Sequence, residues 1–134
     1  MFYVFPITIP ANTPATAKTK TTLKLTAGRI TRVMLEFPAG HVGLTHIHIN
    51  SGLHQLYPTN PDANFSSSNE TIDFAEDLSM DIPPFTLQAY AWNLDDTYEH
   101  TITLRIELES LKASRSLAEE VAALLMPLEE VPAG

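Results

Sequence analysis

Phe85-Thr86-Leu87-Gln88-Ala89-Tyr90-Ala91-Trp92 is the stretch on which the fold is decided. Phe85, Leu87, Ala89 and Ala91 fall on one side of an extended chain, and Tyr90 and Trp92 on the other. Successive side chains of a strand point to opposite faces, so this period of two predicts a strand with one face in a core. Asn93-Leu94-Asp95-Asp96 reads as a turn, and Thr101 to Leu108 alternates again, turning Ile102, Leu104, Ile106 and Leu108 to one side.

Upstream the same period recurs. Leu23 and Leu25 oppose Lys20, Thr22, Lys24 and Thr26, and Ala27-Gly28 marks a turn. Ile30 is followed by two polar residues before Val33, Leu35 and Phe37 resume one face against Arg32, Met34 and Glu36. Ile47 and Ile49 oppose His46 and His48. Leu53 to Tyr57 continues as a short strand, and Ile72 and Phe74 alternate with Thr71, Asp73 and Ala75 before a polar turn over Asp77–Pro84. Phe2 to Ile9 is aromatic and β-branched but contains Pro6. Proline cannot donate to a ladder, so this segment belongs at a sheet edge or at a bulge. Many short strands separated by turns predict an all-β fold, an antiparallel β-sandwich or jelly roll of seven to eight strands.

After Lys112 the period changes. Ser116-Leu117-Ala118-Glu119 fits a capping box, and Leu117, Val121, Leu124 and Leu125 form one stripe before Pro127. This predicts one short C-terminal amphipathic α-helix, docked on its own sandwich or on a neighbour. Residues 1–110 are thus expected to form the sandwich, with 1–17 as its N-terminal edge strand and connector. Residues 111–134 supply the helix and tail of the same domain.

Composition limits the function classes. The 134 residues carry a net charge of −8 and 18% charged residues, below the roughly 25% of an average soluble domain. The acidic balance disfavours nucleic acid and anionic membranes, because phosphate contacts need a basic face. Lys18, Lys20 and Lys24 form the one basic cluster, at strand spacing. With no cysteine there is no disulfide, thiol nucleophile or thiolate metal site. The opening residues lack the charged and apolar regions of a signal peptide, and no apolar run approaches the roughly 20 residues of a membrane span. The expectation is a chain made in the cytoplasm.

Three chemical readings arise. His46 and His48 sit at i, i+2 on one side of a strand, the spacing of an H-x-H metal pair in cupins, with His41, His54 and His100 as further donors. No acid follows between residues 49 and 57, and no cofactor is expected. Asn60-Pro61-Asp62-Ala63-Asn64 alternates oxygens as a calcium loop does, but Phe65 stands where the turn glycine belongs. Trp92 with Tyr90, beside the long 58–69 loop, suggests a glycan or peptide platform. No nucleophile elbow, phosphate-cradling loop or His-Glu-x-x-His is present, so no catalytic residue is assigned.

Five phrases carry a resemblance: Leu25-Thr26-Ala27-Gly28-Arg29-Ile30-Thr31, Phe37-Pro38-Ala39-Gly40, Tyr57-Pro58-Thr59-Asn60-Pro61-Asp62, Pro83-Pro84-Phe85-Thr86-Leu87, and Asn93-Leu94-Asp95-Asp96-Thr97-Tyr98-Glu99-His100-Thr101. Over about residues 20–108 the chain resembles small β-sandwich proteins of tailed-phage and prophage-like gene sets. That resemblance implies a virion structural or assembly role, a capsid, decoration or minor subunit. It implies contacts with further copies of itself and with other shell or virion proteins, and a place in the virion. Tyr3 and Phe5 on the edge strand and Leu117, Val121, Leu124 and Leu125 on the helix are the expected interaction residues.

Overall fold

The computed structural model describes residues 1–110. Eight strands follow in order: β1 (Phe2–Ile9), β2 (Thr19–Lys24), β3 (Gly28–Phe37), β4 (Thr45–Ser51), β5 (His54–Tyr57), β6 (Glu70–Met80), β7 (Thr86–Asn93) and β8 (His100–Ser110). They form two four-stranded antiparallel sheets, ordered β1-β8-β3-β6 and β2-β7-β4-β5. The architecture is an all-β sandwich. The helix expected at the C-terminus, with Leu117, Val121, Leu124 and Leu125, lies outside the described residues.

Alternation builds the core. Ile7 and Ile9 of β1, Val33, Leu35 and Phe37 of β3, and Ile102, Leu104, Ile106 and Leu108 of β8 line the first sheet's inner face. Leu23 of β2, Ile47 and Ile49 of β4, and Leu87, Ala89 and Ala91 of β7 line the second. Both sets belong to one buried cluster, and burial of apolar area is the main stabilising term. The two polar residues after Ile30 have a structural cause, because the register of β3 shifts between Ile30 and Arg32 against both β6 and β8. A bulge there restores the inward parity of Val33.

The structure alters two expectations. β6 runs on to Met80 instead of ending near Glu76, with Leu78 packed against the core and Met80 buried. Its acids made the segment look like a turn, yet β6 is an edge strand whose outward positions face solvent. On β1, Tyr3 and Phe5 are turned inward, stacked with ring centroids 6.0 Å apart and packed against the core. Phe2 and Val4 are the residues that face outward, 55% and 56% exposed. Pro6 does lie on an edge strand, as its missing N–H requires.

One buried polar side chain ties the layers together. Asn93, fully buried at the end of β7, donates from Nδ2 to the Ile9 carbonyl (3.2 Å) and the Tyr98 carbonyl (3.0 Å). Its Oδ1 accepts from the Asp95 amide at 3.0 Å, and its backbone exchanges two bonds with Thr13. Replacing Asn93 with Ala removes the donor shared by the Ile9 and Tyr98 carbonyls and the acceptor of the Asp95 amide. It should lower unfolding free energy by about 3 kcal/mol, given roughly 1–3 kcal/mol for each buried group left unpaired. Gly28 opens β3 in a position where an added Cβ would overlap the Glu109 carbonyl oxygen and a Leu108 methyl. Gly28→Ala should therefore cost about 1–3 kcal/mol in chemical denaturation, as overpacking does. A neutral result would refute the close approach of β3 to β8.

Candidate functional site

The outward face of β2-β7-β4-β5 carries a ladder of cross-strand pairs. His46 lies opposite Trp92, His48 opposite Tyr90, and Asn50 opposite Gln88. The His46 and Trp92 rings stack with centroids 5.0 Å apart and 11° between planes, and His48 and Tyr90 at 5.2 Å and 18°. Such pairs are the sheet's unit of stabilisation, each worth roughly 0.2–1 kcal/mol.

Lys18 enters this face from the residue before β2. Its Nζ stands 4.8 Å from the Trp92 ring centre and donates to His48 Nε2 at 3.1 Å. The hydrogen bonds fix the tautomer. An ammonium only donates, so Nε2 accepts, and Nδ1–H donates to Asn50 Oδ1 at 2.8 Å. Burial holds His48 below its ordinary value, and the Lys18 charge pushes the same way against the Asn50 bond. The ring is neutral.

The 58–69 loop is stitched down beside the ladder. Phe65 and Ile47 exchange two backbone bonds, of 2.8 and 3.0 Å. Gln55 Nε2 donates to the carbonyls of Pro58, Asn60 and Ala63. His46 Nδ1–H donates to Asn64 Oδ1 at 2.8 Å. Loop and sheet enclose an open cleft of about 610 Å³, lined in part by Lys18, His48, Asn50, His54, Asp62 and Asn64.

This geometry bears on each chemical reading. His46 and His48 do share a face, but among the described residues no group of three metal-binding side chains gathers there or elsewhere. A metal on His48 Nε2 would have to displace an ammonium from the only lone pair of the ring. In the 60–64 loop, the Asn60 and Ala63 carbonyls and Asn64 Oδ1 are turned to Gln55 and His46, which leaves no converging oxygen set for calcium. Trp92 is only 8% exposed, covered by His46 on one side and approached by Lys18, so it presents no open stacking face.

A second polar cluster lies at one end of the sandwich. His41 is buried between Phe37 and His100, with the two imidazole centroids 4.5 Å apart, and hydrogen-bonds Thr45 Oγ1 through Nδ1. His100 Nε2 meets Asp95 Oδ2 at 2.8 Å. Amides of Thr97 and Tyr98 with His100 hold the Asp95 carboxyl below the usual carboxylate range. The Asp-His-His-Thr order resembles a proton relay, yet Thr45 and His41 are sealed from solvent. A nucleophile there would meet no substrate.

Compared with family models, curated proteins and solved structures, the chain matches none. Lys18, Asn50 and Asn64 were not singled out from the sequence as site residues. Lys18 reads there as one member of a solvated lysine row, and the asparagines read as turn formers. Their one sequence signal is position, beside the His pair and in the longest loop.

Acid should loosen this fold. Burial first, then the neighbouring His100, holds His41 below 6.5, and His48 is shifted the same way. The unfolded chain therefore binds more protons below pH 6.5, so stability declines as pH falls through that value toward the folded ones. Denaturant midpoints at about pH 7 and about pH 5 test this. Equal midpoints would contradict the burial of both rings.

Proposed function

We propose that this chain is a non-enzymatic structural or assembly subunit of phage-virion type, a capsid, decoration or minor structural protein that acts through protein–protein contacts. The strand order supports a jelly roll, two sheets wound as paired Greek keys. That architecture recurs in viral capsid subunits, lectins and cupins. A shared fold does not fix function, so the weight rests on a surface feature.

That feature is β1. It is eight residues long, paired on one side alone among the described residues, and it turns Phe2 and Val4 outward. Soluble monomers usually blunt such an edge with charge, bulges or a cover, whereas β1 carries only Pro6. β1 itself carries no charged residue, and the acids of the neighbouring strands are partly neutralised by arginines. Arg32 pairs with Asp73, Arg105 with Glu36, and Arg29 with Asp77 and Glu109. A second copy pairing along β1 would satisfy the open ladder and cover Phe2 and Val4, an isologous contact. Phe2 and Val4 take the interaction role in place of Tyr3 and Phe5.

Sedimentation or light scattering at tens of micromolar tests the reading. The expected result is a symmetric oligomer whose population rises with concentration. A Phe2→Lys, Val4→Lys double variant should shift it toward monomer, with melting temperature within a few degrees of the parent, since both residues are surface positions. A parent protein that stays strictly monomeric and binds no shell protein overturns the proposal.

The cupin-like metal reading has less support, because Lys18 already occupies His48 Nε2. Zinc, nickel or manganese should leave the melting temperature unchanged.

A further inference from the structure

We infer that the cleft between the 58–69 loop and the outer face of the second sheet is a binding site for an anionic saccharide, with Lys18 as the group that meets the anion. Three independent observations carry this.

The first is the distribution of charge. None of the sixteen acids lies in β2, β4, β5 or β7, although the chain as a whole is at −8. The same strands carry Lys20, Lys24, His46, His48 and His54, and Lys18 directly precedes them. An acidic protein has kept these four strands free of carboxylates.

The second is the state of Lys18. The three arginines of the described residues all pair with carboxylates. Lys18 instead rests against Trp92 and a neutral imidazole, with no carboxylate of the described residues within ion-pair distance. An ammonium held by an aromatic face and one lone pair keeps protons for a further acceptor.

The third is hydrogen-bond polarity. Asn50 and Asn64 give their carbonyl oxygens to His48 and His46, so each retains its Nδ2 amino group, and those groups have no partner among the described residues. Ammonium and amino groups are all donors, and they line one cleft. A donor-rich lining suits oxyanions and hydroxyl oxygens, the chemistry of a uronate or a sulfated or phosphorylated sugar. At about 610 Å³ the cleft falls within the range of small-molecule sites, roughly 300–1,000 Å³, and exceeds what a bare anion needs. Asp62, exposed on the loop, is the one carboxylate of the described residues in the lining and marks the edge of the site.

Trp92 is the only tryptophan in the chain, so it reports directly on Lys18. The experiment titrates the protein at low salt with a glucuronate disaccharide, a neutral disaccharide of equal size, and inorganic phosphate, read by Trp92 emission and calorimetry. The expected result is a saturable emission change with the uronate, weakened by added salt. Lys18→Met should weaken binding about tenfold, and Asp62→Asn should tighten it about twofold, by removing a like charge from the ligand's edge. Both positions lie outside the core, and circular dichroism checks that each variant is folded. No saturable signal, undiminished binding by Lys18→Met, or equal binding of the neutral sugar overturns the site. Phosphate binding as tightly as the uronate overturns the saccharide assignment. The cleft and β1 lie on different sheets, so a monomeric protein leaves this inference intact.

Discussion

The carboxamide of Asn93 is the polar contact on which the arrangement turns. Fully buried at the end of β7, it holds the end of β1 through the Ile9 carbonyl, and the β7–β8 turn through Asp95 and Tyr98. Its backbone also fixes Thr13 in the connector. One residue thereby joins both sheets and the segment that crosses between them. From Thr13 the chain passes through a short 3-10 turn, Ala15–Ala17, and delivers Lys18 to Trp92 and His48. Core geometry and cleft chemistry share one anchor.

The two outer faces differ in kind. The first sheet pairs its three arginines with some of its acids across neighbouring strands, a pattern that stays hydrated and adds little stability, since exposed pairs are worth roughly 0–1 kcal/mol. The second sheet replaces that lattice with stacked imidazole and aromatic rings and a lysine that meets an imidazole and an indole ring. The histidines serve this packing, each turning Nδ1–H to an asparagine carbonyl. The proposed oxyanion cleft lies on the second sheet and the proposed strand-addition edge, β1, on the first.

Much of the sandwich was legible because a strand writes its orientation locally. Leu87, Ala89 and Ala91 alternate against Tyr90 and Trp92 whatever their neighbours, and the structure keeps that parity. Even the broken period at Thr31-Arg32 corresponds to a physical bulge. The extension of β6 was hidden, because Asp77 and Ser79 are tolerable outward on an edge strand and look the same as in a turn. Tyr3 and Phe5 alternate as plainly as Phe2 and Val4, and both faces of β1 are apolar. Parity alone could not say which pair meets the core.

The sequence by itself determined the all-β class, a range of seven to eight strands and most of the inward residues, because burying alternate side chains is a demand each strand meets alone. Tertiary structure decided strand order, the inward turn of Tyr3 and Phe5, and the meeting of Lys18 with His48 thirty residues away. Those depend on which strands pair, and pairing is set by backbone hydrogen bonds between distant segments that no local period records.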